Sequence, residues 1–305
     1  MNIPADQFRP LGTTGVRLPP VIFGSSPLAN IPQVIPEQRK LAICNEWLRR
    51  VGPPAHVSVV YSDDDGQSLA MLARILRSLE VRSEEIVIHL AVRADHFDLE
   101  WEESCRLLGK LYQPKLLSVQ LSTGSNTSQC KLVTRWKSTG NILGVGAIID
   151  HADGLKSVAA ETDWIVLTHG FSLLRHTTEI LSDLTALTAQ RIPVITAGVF
   201  ERGFLLGGNR LDGQVMDSND PTNRSLLAWR TSFAALCHGH GVSPTHACIQ
   251  FALSAPAVVA AQLTTSHPDR VAENIDYCAR PVPRALWISM KEEGLLAADY
   301  PWLLQ

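Results

Sequence analysis

The 305-residue chain has no apolar run near the roughly 20 residues that cross a bilayer, no C-x-x-C pair, no basic tract, and no lysine between Lys40 and Lys110. Each absence excludes something. Without a spanning segment, a membrane-embedded protein is not expected. With 27 basic against 30 acidic residues the net charge is −3, which points away from nucleic acid and anionic membrane surfaces as partners. Six widely spaced cysteines in a chain this long read as free thiols rather than a disulfide framework. The opening MNIPADQFRP lacks the basic leader and apolar core of a signal peptide, so a cytoplasmic location is expected. The missing lysine matters for chemistry, as shown below.

What is present is an alternation. Short β-branched runs at 21–25, 56–62, 86–93, 116–121, 142–149, 164–169, 193–199 and 258–265 are separated by segments of helical period. Residues 67–80 place Leu69, Leu72, Ile75, Leu76 and Leu79 on one apolar stripe. Residues 97–112 and 221–237 are similar, with Ser182 and Ser225 as candidate capping groups. Eight βα units in about 300 residues, with strands that read as buried on both faces, predict an α/β fold, a (β/α)8 TIM barrel. The run from Leu11 to Leu18, with Gly12 and Gly15 at turn positions, predicts an N-terminal β-hairpin closing the barrel floor. No linker or repeat divides the chain, so residues 1–305 read as one domain. The longest irregular connection, 200–222, follows the seventh strand on the face where barrels place active-site covers.

Several stretches carry a family likeness. FRPLGTTGVRLPPVIFGSSPLAN (8–30), DWIVLTHGFSLLRH, ITAGVFERGFLLGG, HGVSPTHACIQFALSAPAVVAAQLTTSHPDRVAENIDY and PVPRALWISMKEEGLL together resemble the aldo/keto reductase superfamily. Within it they are most like the branch of sugar (D-threo-aldose/L-fucose) and pyridoxal dehydrogenases. The likeness runs over nearly the whole chain. It implies NAD(P)-dependent oxidoreduction, in which a tyrosine protonates a carbonyl while a nicotinamide delivers hydride. A free tyrosine, with pKa near 10, is a poor acid at neutral pH, so a lysine, a histidine and an aspartate must tune it.

Those four positions are substituted here. Gly66-Gln67-Ser68 aligns with the glycine and serine after the family's tyrosine, which places the tyrosine position on Asp65 and the aspartate position on Val60. The third strand puts Ala91 at the lysine and the fourth puts Ser122 at the histidine. Tyr61 lies four residues before Asp65, and strand alternation gives it a different face from Val60. The run Asp63-Asp64-Asp65 reads as a solvated turn, with a cationic ligand or Arg93 as alternative partners. His89, Gln120, Ser58 and Ser118 share the inward parity of Ala91 and predict a polar layer inside the barrel.

The resemblance implies that NADP, if retained, is held after the eighth strand by Arg270, Glu273 and Asn274, with Phe171 as the aromatic platform for the nicotinamide. An exposed Arg270–Glu273 pair is the plainer alternative. Thr264 and Ser266 stand where a phosphate grip would be stronger. Gly144-x-Gly146 lacks the third glycine of a dinucleotide fingerprint. Cys237-His238-x-His240 ends a helix and has no distant ligands to complete a metal site, so no metal is expected. Two functions follow. The first is a non-catalytic or diverged binding or regulatory barrel, a pseudoenzyme, taking a small-molecule or nucleotide ligand at its mouth. The second is an active NAD(P)-dependent oxidoreductase of aldehydes or sugars with a relocated proton donor: Tyr61, His89, His169 or Asp65.

Overall fold

The structure, a computed structural model, describes residues 3–120, 142–150, 155 and 162–303. Eight parallel strands close into a barrel: β3 (Val21–Gly24), β4 (Ala55–Val60), β5 (Ile86–Arg93), β6 (Leu116–Gln120), β7 (Gly144–Ile149), β8 (Trp164–Leu167), β9 (Val194–Thr196) and β12 (Val258–Leu263), with β12 pairing both β3 and β9. All eight correspond to runs expected from sequence, most trimmed at the ends. Their outer faces are packed by helices, among them α1 (Glu37–Val51), α2 (Gln67–Ser78), α3 (Phe97–Leu108), α4 (Thr178–Gln190), α5 (Pro221–Gly239), α6 (Pro244–Ala252), α7 (Pro268–Ala279) and α8 (Arg284–Glu292). On α2 the expected stripe is the buried one: Leu69, Leu72, Ile75 and Leu76 are each at most 2% exposed. Two capping assignments shift. Thr177 stands at the start of α4, which leaves Ser182 within the helix, and Ser225 lies inside α5, which begins at Pro221.

The hairpin forms as expected. β1 (Arg9–Pro10) and β2 (Arg17–Leu18) pair antiparallel. Leu11 and Leu18, both fully buried, join Ile22, Leu116, Trp164 and Ile195 in the apolar cluster inside the barrel. The hairpin thereby plugs the floor. Gly12, at φ +57, has no room for a side chain, because a Cβ would stand 2.7 Å from the Asp163 carbonyl oxygen. The 200–222 connection is less irregular than its composition implies. It holds a 3-10 segment, Glu201–Leu206, and a second hairpin of β10 (Arg210–Leu211) and β11 (Gln214–Val215).

The barrel interior is filled from one side. Trp164, at the start of β8, is fully buried, and its indole N–H donates to Ser118 Oγ at 3.2 Å. Its bulk explains Gly146 of β7, where a Cβ would lie 2.2 Å from Trp164 Nε1, and with Thr14 of the hairpin turn it explains Gly144, where a Cβ would lie 2.4 Å from Thr14 Cγ2 and 2.9 Å from Trp164 Cζ3. Gly144-x-Gly146 is thus a steric recess for an indole. Gly146→Ala is expected to lower the unfolding free energy by about 1–3 kcal/mol through overpacking. In a Trp164→Phe background the same substitution should cost clearly less in urea melts. Equal costs in the two backgrounds would refute the recess.

Candidate functional site

Function in a barrel of this kind belongs at the carboxyl ends of the strands. There, Val60 and Ala91 stand directly across from one another in the β4–β5 register, and both pack into the interior apolar cluster. Ala91 is 3% exposed. Ser118 of β6 stands opposite Ala91 in turn. Ser122, four residues further on, lies outside the described residues. The sequence alignment therefore identified two positions that the fold brings side by side, and neither side chain carries charge or a hydrogen-bonding group.

The acidic turn after β4 divides its labour. Asp64 is buried and accepts a hydrogen bond from the Ser68 backbone N–H at 3.1 Å, satisfying one free donor in the first turn of α2. Asp65 is exposed, with φ +50, in a left-handed turn completed by Gly66. A Cβ on Gly66 would meet Leu107 at 2.6 Å and the Tyr61 ring at 2.9 Å. The Asp63 carboxyl is pushed above the usual carboxylate range by desolvation and by the neighbouring Asp64 charge, against the opposing pull of Arg202. Arg93 does not serve this turn. Its Nε donates to Glu100 Oε1 at 2.6 Å, its backbone N–H donates to the same carboxylate, and Glu100 is 1% exposed. A carboxylate already buried on α3 outcompetes solvated ones.

Tyr61 faces out of the barrel, against Gly66 and partly buried within the outer core. Desolvation and the charges of Glu103, Asp65 and Glu100 raise its pKa, the wrong direction for a proton donor at neutral pH. His89 is fully committed inside. His56 Nδ1 and His89 Nε2 lie 2.9 Å apart, both rings buried, with His56 Nε2 left without a partner. The expected polar layer thus exists in part, but its central contact is a histidine pair whose other member, His56, shares the inward parity of Ser58 and Val60 on β4. That alternation was the available signal.

Among the described residues, one pocket at the mouth, between Ser25, Ser58, Asp63 and Gln262, has about 40 Å³ of open space, little more than the 30 Å³ or so of one water. Gly24 ends β3 bare because a Cβ would stand 2.7 Å from Thr264 Cγ2. Over the same face, the connection after β9 is fastened: Glu201, 5% exposed, accepts from Ser172 Oγ at 2.5 Å and from Arg175 Nε at 3.1 Å, while Arg175 also reaches Asp212. Glu201 and Arg202 are both held at positive φ, a strained backbone that such contacts must over-determine.

The proposed nucleotide residues separate onto two faces of α7. Arg270 and Glu273 are exposed, and among the described residues no ion pair joins them. Asn274 is 6% exposed and shares the packed stripe with Val271 and Ile275. Ser266 Oγ accepts from Gln33 Nε2 at 3.0 Å, and Thr265 Oγ1 accepts from the His267 backbone N–H. Phe171 is not at an open surface. It is 2% exposed, with its ring 5.2 Å from Phe251 and 6.4 Å from Trp302, so its packing is that of a core aromatic rather than a platform. In the Cys237-His238-x-His240 run, Cys237 is buried with its thiol pushed up to about 12 by desolvation, whereas His238 is exposed and His240 meets Ser289.

The closed barrel with a floor hairpin and this order of strands agrees with a family match that spans most of the chain: a model of the aldo/keto reductase family matches residues 20–292. The chain belongs to the aldo/keto reductase family. It is 25% identical over 189 residues to a D-threo-aldose 1-dehydrogenase from Pseudomonas sp. That match covers 61% of this chain and only 56% of the dehydrogenase. An aldo-keto reductase from Bacillus halodurans, solved in its holo form, superposes with a TM-score of 0.74 at 15% identity, covering 98% of this chain and 99% of that one. A putative aldo-keto reductase from Pseudomonas aeruginosa gives 0.66 at 17%, covering 91% and 96%. These two likenesses concern the fold alone.

The histidine pair makes the barrel acid-sensitive. Burial lowers the His56 pKa from 6.5 to about 4 and holds His89 well below its ordinary value, with the His56 charge as a second cause. Both rings are neutral in the fold, so the unfolded chain binds more protons once the pH drops below about 6.5. Stability is therefore expected to fall from about pH 6.5 towards pH 4 by a few kcal/mol. In denaturant titrations across this window, a His56→Gln/His89→Gln double variant should show a shallower dependence than the parent. An unchanged slope would contradict the assignment.

Proposed function

We propose that this member of the aldo/keto reductase family has given up hydride transfer and persists as a binding or regulatory barrel. The observation that carries the reading is the in-register contact of Val60 with Ala91, the two positions that the sequence resemblance assigns to the family's aspartate and lysine. A carboxylate and an ammonium side by side would shift a tyrosine's pKa. Two apolar side chains supply no field. Asp65, at the tyrosine position, is exposed and points the chain into a turn. Lys40 is no replacement for the missing lysine, since its ammonium is buried on the Leu28 carbonyl at 2.6 Å.

An active enzyme with a relocated acid has less support. Tyr61 faces the helices with a raised pKa, and His89 is paired with His56 and kept neutral. The nicotinamide end of an NADP cofactor does not fit the described residues. The roughly 40 Å³ pocket between Ser25, Ser58, Asp63 and Gln262 is too small for its ring, and Phe171 is packed in the core. The adenosine end fits better. Arg270 is exposed on α7 beside Glu273 and is free to pair with a phosphate, while Asn274 is packed one helical step away. The family's nucleotide is thus a candidate ligand held from the rim, and turnover is not expected of it.

Fluorescence titration with NADPH, followed by reduction assays on aldehydes and sugars, tests both halves. Binding is expected to saturate and to weaken about tenfold in Arg270→Gln, the scale of one charge-assisted contact. Turnover is expected at least about 10²-fold below that of a family enzyme with its acid in place. Ordinary turnover would overturn the non-catalytic reading. Failure to bind NADPH would remove the nucleotide from it and leave Arg270 a surface residue.

A further inference from the structure

A second cavity, of about 480 Å³, opens at the end of the barrel opposite the mouth. It lies between the floor hairpin, the start of β12 and the corner joining α7 to α8. Its volume is in the range of small-molecule sites, roughly 300–1,000 Å³. Two charged side chains line it, Arg9 and the exposed Asp6. Arg9 of β1 lines the cavity half-buried, and one of its terminal nitrogens, Nη1, donates to the Val258 carbonyl at 2.5 Å. Among the described residues no carboxylate forms an ion pair with it and no second acceptor meets it. Burial pulls its pKa below the usual arginine value.

Three of the other polar side chains of the cavity, Gln250, Ser254 and Cys278, are already engaged. Gln250 Nε2 donates to the Tyr277 and Cys278 carbonyls at 2.6 and 3.1 Å. Ser254 Oγ donates to the Phe251 carbonyl at 2.6 Å and lies 2.7 Å from the Tyr300 hydroxyl. The Cys278 thiol, pushed up to about 12 by burial, stays protonated and donates to the Asn274 carbonyl, so it gives Arg9 no counter-charge. Trp287 and Trp302 supply flat apolar wall, the latter held edge-on by Tyr300 at 5.5 Å and 83°. A half-buried guanidinium with one carbonyl partner and no counter-charge paired to it among the described residues is costly, and an incoming anion offsets that cost.

We propose that this cavity is a ligand site for a small monocarboxylate with a flat apolar body. The carboxylate sits on the free N–H edge of Arg9, and the body lies against Trp287 and Trp302. Arg9 keeps two adjacent N–H groups for a bidentate grip because only Nη1 is drawn to Val258. The exposed Asp6 at the rim disfavours a second negative charge, which selects a carboxylate over a phosphate dianion. The site is independent of the nucleotide reading, since it uses none of the same residues.

Calorimetric titration with 2-naphthoate, and with the neutral 2-naphthamide as its control, tests the proposal on the full chain. Naphthoate is expected to bind saturably at or below millimolar concentration, at least about tenfold more tightly than the amide. Arg9→Gln, whose amide can still donate to Val258, should abolish the difference between the two. Trp302→Leu should weaken both, and saturating NADPH should compete with neither. Equal binding of acid and amide to the parent chain overturns the proposal, as does absence of naphthoate binding, its displacement by NADPH, or naphthoate affinity unchanged in a folded Arg9→Gln. The acid–amide contrast in the parent chain decides even if Arg9→Gln fails to fold.

Discussion

The register of the closed parallel ladder is the constraint on which everything else hangs. A closed barrel has no edge along which a strand can slip, and a shift of one residue would turn every inward side chain outward. The pairing of Val60 with Ala91 and of Ala91 with Ser118 follows from that closure. Tyr61, one residue beyond Val60, begins a 3-10 segment (Tyr61–Asp63) after the strand and packs with the outer core. The chemistry that the mouth can perform is therefore decided by which side chains occupy a few fixed positions. Loops can cover those positions or open them, but they cannot bring a residue from the outer face into them.

Inside the ladder, space is allocated before function. Trp164 fills the lower interior, and the glycines of β7 give way to it. The His56–His89 pair and the apolar contact of Val60 with Ala91 take up the inward positions of β4 and β5. Such an interior gains stability from burying a large aromatic with its N–H satisfied by Ser118. It pays in polarity only at the histidines, which stay neutral. An aspartate–lysine pair in place of Val60 and Ala91 would carry a desolvation cost unless its geometry were excellent. Once the proton chemistry is not required, apolar replacements remove that cost.

Much of this was legible in the sequence, and the reasons for the gaps are physical. The eight strands and the α2 stripe were readable because periodicity follows directly from burial on one or both faces. The floor hairpin was readable from glycines placed where the turn needs positive φ. The positions of Val60 and Ala91 came from aligned motifs, and the fold places them side by side. What escaped were partnerships across long separations. Glu100 takes Arg93 because it is buried on α3, and nothing in its local sequence distinguishes it from Asp63, Asp64 or Asp65. Trp164 explains Gly144 and Gly146 only once β7 and β8 are neighbours. For Phe171 the resemblance implied a platform and general packing a core-edge aromatic; Phe251 and Trp302, far along the chain, decide for the core.

The disposition of cations completes the argument about the mouth. Arg93 is bound to Glu100, Arg175 to Glu201 and Asp212, and Lys40 to a backbone carbonyl. Each of these positive groups is engaged in holding the scaffold, while at the Asp63 carboxyl Arg202 opposes the upward push of desolvation and of Asp64. Among the described residues, Arg270 on the rim and Arg9 at the floor are the arginines at candidate sites that carry no ion pair. Uncommitted positive charge among the described residues therefore lies away from the Val60–Ala91 contact, which is apolar and supplies no field of its own to a neighbouring group.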